Sequence, residues 1–197
     1  MACETAYIGF GSNEGDRFEH CDRAVTLLGL LPASALTGVS SLYETEPVVD
    51  ERTDPGLDWF VNGVVRLETD IAPRKLLEVC REIERALGRD PVAHEPGRRV
   101  PRPMDLDLLF YGQKTLDEPE LTIPHPRLHR RRFVLTPLVE LAPDLRHPVL
   151  GLTVRELLER LQDPAEVRRL DRPSGSRYGV PPSCHRVPSG PGAGSPS

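Results

Sequence analysis

Hydrophobic positions along this chain alternate with a period of two in some stretches and near four in others, and the switches mark its elements. Residues 5–10 read as a first strand running into Gly11-Ser12-Asn13. A helix follows: Asp16 stands at the cap, Glu19 completes a capping box, and Phe18, Cys21, Val25 and Leu28 form one stripe. Residues 36–45 predict a second strand, ended by Glu46-Pro47 and an acidic, proline-bearing loop through Asp58. Residues 59–69 predict a third, with Phe60, Asn62, Val64 and Arg66 on one face and Val61, Val65 and Leu67 on the other. Pro73 opens the next helix, Leu76, Cys80, Ile83 and Leu87 form its stripe, and Gly88 ends it. Glu84, beside that stripe, reads by itself as a surface residue.

Residues 89–103 carry no apolar period, and a connection this long inside a compact domain is more often functional or mobile than neutral. The expectation is a loop that orders only with ligand. A strand over 104–111 follows, then His125 held between Pro124 and Pro126, either a phosphate donor or a turn residue. Residues 127–141 are helical in part, and 154–161 form a short amphipathic helix. The order is strand, helix, strand, strand, helix, strand. This predicts an α+β fold with a ferredoxin-like βαββαβ core, an antiparallel sheet with helices on its faces. From residue 173 onward Pro, Gly and Ser dominate, so 1–172 reads as one domain and 173–197 as a disordered tail. A chain stopping after Arg172 should keep fold and activity.

Candidate chemistry centres on Met104-Asp105-Leu106-Asp107-Leu108-Leu109-Phe110-Tyr111. As a strand it puts Asp105 and Asp107 on one face, about 6.5–7 Å apart at Cα, and Leu106, Leu108 and Phe110 on the other. Two carboxylates so placed can converge on hard cations, which favour carboxylate oxygen. Arg102, three residues upstream, supplies a planar donor suited to phosphate. An edge strand whose polar face happens to carry two acids is the plainer reading of the spacing. Gly9, Gly11 and Gly15 fit neither nucleotide fingerprint, because Glu14 stands where the dinucleotide motif needs glycine and no Gly-Lys-Ser/Thr follows.

Charge changes the picture in one respect. The net charge of −5 disfavours a general nucleic-acid binder, yet Arg98, Arg99 and Arg102 cluster, as do Arg127, Arg130, Arg131 and Arg132. Local basic clusters on an acidic chain suit a small polyanion. Cys3, Cys21, Cys80 and Cys184 make no C-x-x-C pair, so no zinc or disulfide framework is indicated, and Cys80 reads as a core thiol. The most apolar window, residues 24–39, is too short to span a membrane and is broken by Pro32. No secretory leader is expected ahead of the first strand, and a cytoplasmic location is expected.

Tyr7-Ile8-Gly9-Phe10-Gly11-Ser12-Asn13, Tyr43-Glu44-Thr45-Glu46-Pro47-Val48, Phe60-Val61-Asn62, Asp105-Leu106-Asp107, Pro124-His125-Pro126, Arg131-Arg132-Phe133 and Ala142-Pro143 occur in order. Each is weak alone. Together, over about residues 5–170, they closely resemble the 6-hydroxymethyl-7,8-dihydropterin pyrophosphokinase family. The resemblance implies a ferredoxin-like enzyme of folate biosynthesis that moves the terminal pyrophosphate of ATP to the pterin hydroxymethyl group and releases AMP. It implies that Asp105 and Asp107 hold two magnesium ions bridging the ATP phosphates. It places Arg89, Arg98, Arg102 and Arg131 toward phosphate and His125 on ATP, with Glu84, Leu108 and Thr122 as further nucleotide contacts. Phe60 and Phe133 become the plates between which the pterin stacks, and Asn62 reads its edge. The backbone at Thr45, Pro47 and Val48 lines the same pocket. The expected partners are these small molecules alone, with no nucleic acid and no membrane, and the expected state is a monomer.

The chain departs from the family where Arg98-Arg99-Val100-Pro101-Arg102 stands for Arg-Trp-Gly-Pro-Arg, so Arg99 replaces the closing tryptophan. Glu120 stands where some members have arginine. Two other readings remain beside the resemblance. A different two-metal phosphoryl or nucleotidyl transferase on the same fold would need Asp105 and Asp107, but not Phe60, Asn62 and Phe133 together. A non-catalytic ligand-binding domain of ferredoxin type would leave the arginine clusters unexplained.

Overall fold

A computed structural model describes residues 3–47, 58–89 and 101–171. The chain runs β1 (Glu4–Ser12), α1 (Arg17–Gly29), β2 (Ser34–Val39), β3 (Tyr43–Thr45), β4 (Phe60–Thr69), α2 (Pro73–Ala86) and β5 (Asp105–Tyr111). A hairpin of β6 (Leu116–Glu118) and β7 (Leu121–Ile123) follows, then α3 (Arg132–Leu141), α4 (Val154–Arg160) and β8 (Val167–Arg169). The main sheet has the order β5-β1-β4-β3-β8, with β2 also on β4, and every pairing is antiparallel. The expected α+β, ferredoxin-like core is present.

Local signals set the helix ends. The Asp16 carboxylate accepts from the Glu19 backbone N–H at the start of α1, and Pro73 opens α2. Gly88 closes α2 at φ +101°, a conformation that L side chains rarely adopt. One apolar face of each helix packs on one side of the sheet: Cys21, Ala24 and Leu28 from α1, and Leu76, Cys80 and Ile83 from α2, against Ile8, Phe10, Val61, Val65 and Leu106. Cys80 is the core thiol expected of it. Val134, Leu135 and Leu138 of α3, with Val154 and Leu157 of α4, cover part of the other side over Tyr7, Val64, Leu109 and Phe110.

Three details differ from the sequence reading. The strand expected at 36–45 is two, because the Ser40 hydroxyl takes the Val64 N–H and interrupts the ladder between β2 and β3. Phe110 does not share a face with Leu106 and Leu108. The β1–β5 register slips between Tyr7 and Ile8, which pair with Phe110 and Leu108, and this bulge at Leu109 turns Phe110 onto the opposite side. The β6–β7 hairpin and β8 are additions, too short to leave a period in the sequence. The tail, Val48, Arg98 and Arg99, and with them the expected loop ordering, lie outside the described residues. Among those described, no helix is long and apolar enough to cross a membrane.

Gly63 lies opposite Phe10 across β1 and β4, and a Cβ there would stand 2.2 Å from the ring's Cζ. Gly63→Ala should therefore cost about 1–3 kcal/mol by overpacking. Urea unfolding checks this, with a lower midpoint and an unchanged slope expected.

Candidate functional site

The side of the sheet that α3 covers only in part carries one cross-strand row of small and polar residues. Asp105 of β5 pairs with Gly11 of β1, which pairs with Asn62 of β4, which pairs with Tyr43 of β3. Gly9 and Asp107 form the next pair along. Glycine at the centre leaves a bare floor between the acids and the amide. A Cβ at Gly11 would fall 2.3 Å from Asn62 Oδ1, so the close approach requires glycine. Asn62 is buried, and its Nδ2 donates to Thr45 Oγ1 at 2.7 Å. Phe60 is the partner of Thr45 across β3 and β4. Asn62, Thr45 and Phe60 thus stand together at one end, and the two aspartates stand at the other. Pro47, two residues beyond β3, is half-buried.

Arginines ring the acidic end. Asp105 Oδ1 accepts from Arg89 Nη1 at 2.8 Å, and its Oδ2 from Arg102 Nη1 at 2.9 Å. Burial works to raise the Asp105 carboxyl, but Arg102 and Arg89 outweigh it and hold it below the ordinary range. Asp107 faces Arg131 Nη1 at 3.3 Å, with His125 Nε2 at 3.8 Å. Burial first, and then the neighbouring charge of Asp105, push the Asp107 carboxyl upward. Among the described residues, Asp105 is thus hydrogen-bonded by two guanidinium groups and Asp107 is faced by one, Arg131.

Glu84 is the clearest correction to the sequence reading. It is buried on α2, and its Oε1 accepts both from Arg89 and from the Leu106 N–H at 2.7 Å. It ties α2 to the backbone between the two aspartates. Asn13, which the sequence places only at the end of the first strand, does the same for Arg102: its N–H donates to the Arg102 carbonyl, and its Oδ1 accepts from the Arg102 N–H. Arg102 is thereby fixed at the start of β5. The only sequence signal for this was an asparagine, donor and acceptor at once, closing a strand.

The other expected contacts divide. Phe133 lies half-buried at the start of α3, and the Arg131 guanidinium sits over its ring at 5.4 Å. The start of α3 is itself held by Asp163, which accepts from the Arg132 N–H at 2.9 Å. The Leu108 side chain is in the core on the far side, so only its backbone can meet a ligand here. Thr122 lies half-buried on β7, paired with Asp117. His125 is docked by its N–H on the Leu109 carbonyl, and its Nδ1 accepts from the Arg127 N–H at 3.2 Å. That leaves Nε2 carrying the proton. Burial, then Arg131 and Arg127, push the ring down to about 4. His125 should stay neutral down to pH 5 in the ligand-free protein. An NMR titration of its Cε1 proton checks this, and a midpoint near the ordinary 6.5 would contradict the buried, arginine-flanked placement.

Two acids inside a ring of guanidinium groups, beside a glycine floor that ends in an amide and an aromatic, are the surroundings that transfer of a polyphosphate group to a flat acceptor would require. The comparisons with known proteins give the class a family. The family model for 7,8-dihydro-6-hydroxymethylpterin-pyrophosphokinase matches residues 7–143, and the chain belongs to that family. The 2-amino-4-hydroxy-6-hydroxymethyldihydropteridine pyrophosphokinase of Methylorubrum extorquens is 41% identical, over 84% of this chain and 98% of its own. The folic acid synthesis protein fol1 of Schizosaccharomyces pombe is 40% identical over 79% of this chain, which spans 20% of fol1. The crystal structure of wild-type Plasmodium falciparum HPPK-DHPS superposes with a TM-score of 0.62 at 16% identity, covering 81% of this chain and 45% of that one. The last likeness concerns the fold alone.

Proposed function

We infer that this protein transfers pyrophosphate from ATP to 6-hydroxymethyl-7,8-dihydropterin, giving the pterin pyrophosphate and AMP in folate biosynthesis. The observation that carries the reading is the single row Asp105–Gly11–Asn62, which joins the arginine-ringed acids to the amide and aromatic across bare backbone. A flat heteroaromatic with donors and acceptors calls for stacking faces and an amide that offers both. Phe60 and Phe133 supply the faces and Asn62 the amide. Thr45 holds that amide in place, Pro47 continues the pocket wall, and Val48 is assigned to the same pocket on the family resemblance alone.

Asp105 and Asp107 are the metal ligands in this reading, and two magnesium ions are the proposed occupants. The donor set fits. Among the described residues no group of three or more His, Cys, Asp and Glu could hold an ion alone. Magnesium usually takes only one or two carboxylates and fills its other positions with phosphate oxygen and water. Asp107, faced among the described residues by one guanidinium where Asp105 has two, favours a cation as well. When bound, the ions offset phosphate charge and stabilise the attacking and leaving oxygens.

The residues of the chain then exchange partners. In the free protein Arg89, Arg102 and Arg131 pair with the aspartates; with nucleotide they turn to phosphate oxygens, joined by Arg98. His125 Nε2–H donates to phosphate as a neutral group. Glu84 keeps Arg89 and the backbone at Leu106 in place, and Leu108 (through its backbone) and Thr122 bound the nucleotide. Residues 1–172 are the proposed catalytic unit, working as a cytoplasmic monomer on these small molecules without nucleic acid or membrane; the net charge of −5 supports the exclusion of nucleic acid. The test is AMP formation from ATP and magnesium with and without the hydroxymethyl pterin. AMP should appear only with the pterin; equal ATP turnover in its absence would overturn the reading.

A further inference from the structure

The C-terminal strand β8 lies beyond residue 143, where the family match ends, and it is built onto the back of the acceptor pocket. Val167, Arg168 and Arg169 pair with Thr45, Glu44 and Tyr43 of β3. The pairing is extended by the Glu46 N–H, which donates to the Glu166 carbonyl at 3.2 Å, and by the Glu166 N–H, which donates to the Glu46 carboxylate at 2.9 Å. Because side chains alternate, Glu44 and Arg168 lie on the face opposite Thr45 and Asn62. There the Arg168 guanidinium sits over the Trp59 ring at 4.7 Å. From the other side Arg17 Nη1 donates to the Trp59 carbonyl at 2.6 Å while its Nη2 pairs with Glu44 at 3.1 Å. Trp59 is gripped at ring and backbone immediately before Phe60.

We propose that Arg168 and Trp59 position the acceptor pocket, with β8 acting through Trp59 to set Phe60 and through β3 to set Thr45. The inference rests on the reading of Phe60 and Asn62 as pterin contacts. The physical need is plain. Phe60 is the first residue of β4, and β3 has three residues, and such strand ends fray unless held. A stacking ring must be held within about 0.5 Å and 10–20° to act as a plate. Neither Arg168 nor Trp59 belongs to the row that would meet substrate, so they are positioning residues.

The experiment compares the full chain with Arg168→Ala, Arg168→Lys, Trp59→Leu and the Arg168→Ala/Trp59→Leu double variant. It measures AMP formation at varied pterin and varied ATP, together with melting temperature. Arg168→Ala should raise the KM for pterin by about threefold to tenfold, the range of a cation–π contact, and leave kcat and the KM for ATP unchanged. Melting temperature should move by no more than about 2 °C. Arg168→Lys should restore most of the affinity, and the double variant should be no worse than Trp59→Leu alone, since both changes break the Arg168–Trp59 contact and the exposed Arg168–Glu166 pair contributes little. A wild-type KM for pterin in Arg168→Ala overturns the proposal. So does an equal loss for both substrates with a lower melting temperature, which would make β8 a stability element only. A wild-type chain that forms no pterin-dependent AMP would instead sink the functional reading on which the proposal stands.

Discussion

Asp107→Asn is expected to lower turnover on the order of 10²–10³-fold while the protein stays as stable as before or becomes more so. The first half follows from the proposed role of Asp107 as the carboxylate with room for a cation. Arg89 and Arg102 both hold Asp105, whereas Arg131, at 3.3 Å, is the closest cation to Asp107 among the described contacts. The second half follows from the sign of the shift. Burial and Asp105 raise the Asp107 carboxyl, so its charged form is disfavoured in the fold, and that penalty is present at neutral pH, above the ordinary carboxylate range. Asparagine keeps the shape and removes the charge. Steady-state kinetics with magnesium titration and a thermal melt measure both halves. A variant that turns over near the normal rate would remove the metal role from this strand; a change in KM alone would reduce Asp107 to ground-state binding.

Phe133→Ala should weaken pterin binding by roughly 1–3 kcal/mol, if the flat acceptor stacks as bases do on aromatic side chains. ATP binding should fall much less. The comparison is informative because the Phe133 ring also lies under Arg131, which reaches Asp107. Calorimetry of each substrate separates the two roles. If ATP affinity falls as far as pterin affinity, the ring serves Arg131 rather than a ligand. A pterin-selective loss places Phe133 beside Phe60 and Asn62 in one pocket, though the three come from the start of α3 and from β4.

Much of this site was legible along the chain because its parts are local. Two aspartates two residues apart on a strand must share a face whatever else the protein does. The same alternation puts Phe60 and Asn62 together on β4, and the structure keeps both arrangements. Helix ends were legible for the same reason, since Asp16, Pro73 and Gly88 act within one turn of themselves. The misreadings have the opposite character. Glu84 looks exposed beside an apolar stripe, and only the approach of β5 gives it a buried N–H and a guanidinium to satisfy. Phe110 changes sides because β1 and β5 accommodate one extra residue, a fact about two strands that neither sequence contains.

The sequence by itself determined the order of the core elements, the faces on which the acids and the amide fall, and the family, because period, capping chemistry and ordered motifs are properties of neighbouring residues. Tertiary structure decided which faces meet. It laid Gly11 between Asp105 and Asn62, closed Asn13 onto Arg102, capped α3 with Asp163 and brought β8 across to Trp59. Those contacts join residues about 30 to 110 positions apart, and no local period encodes a pairing whose chain-closure cost is met only when the whole sheet has assembled.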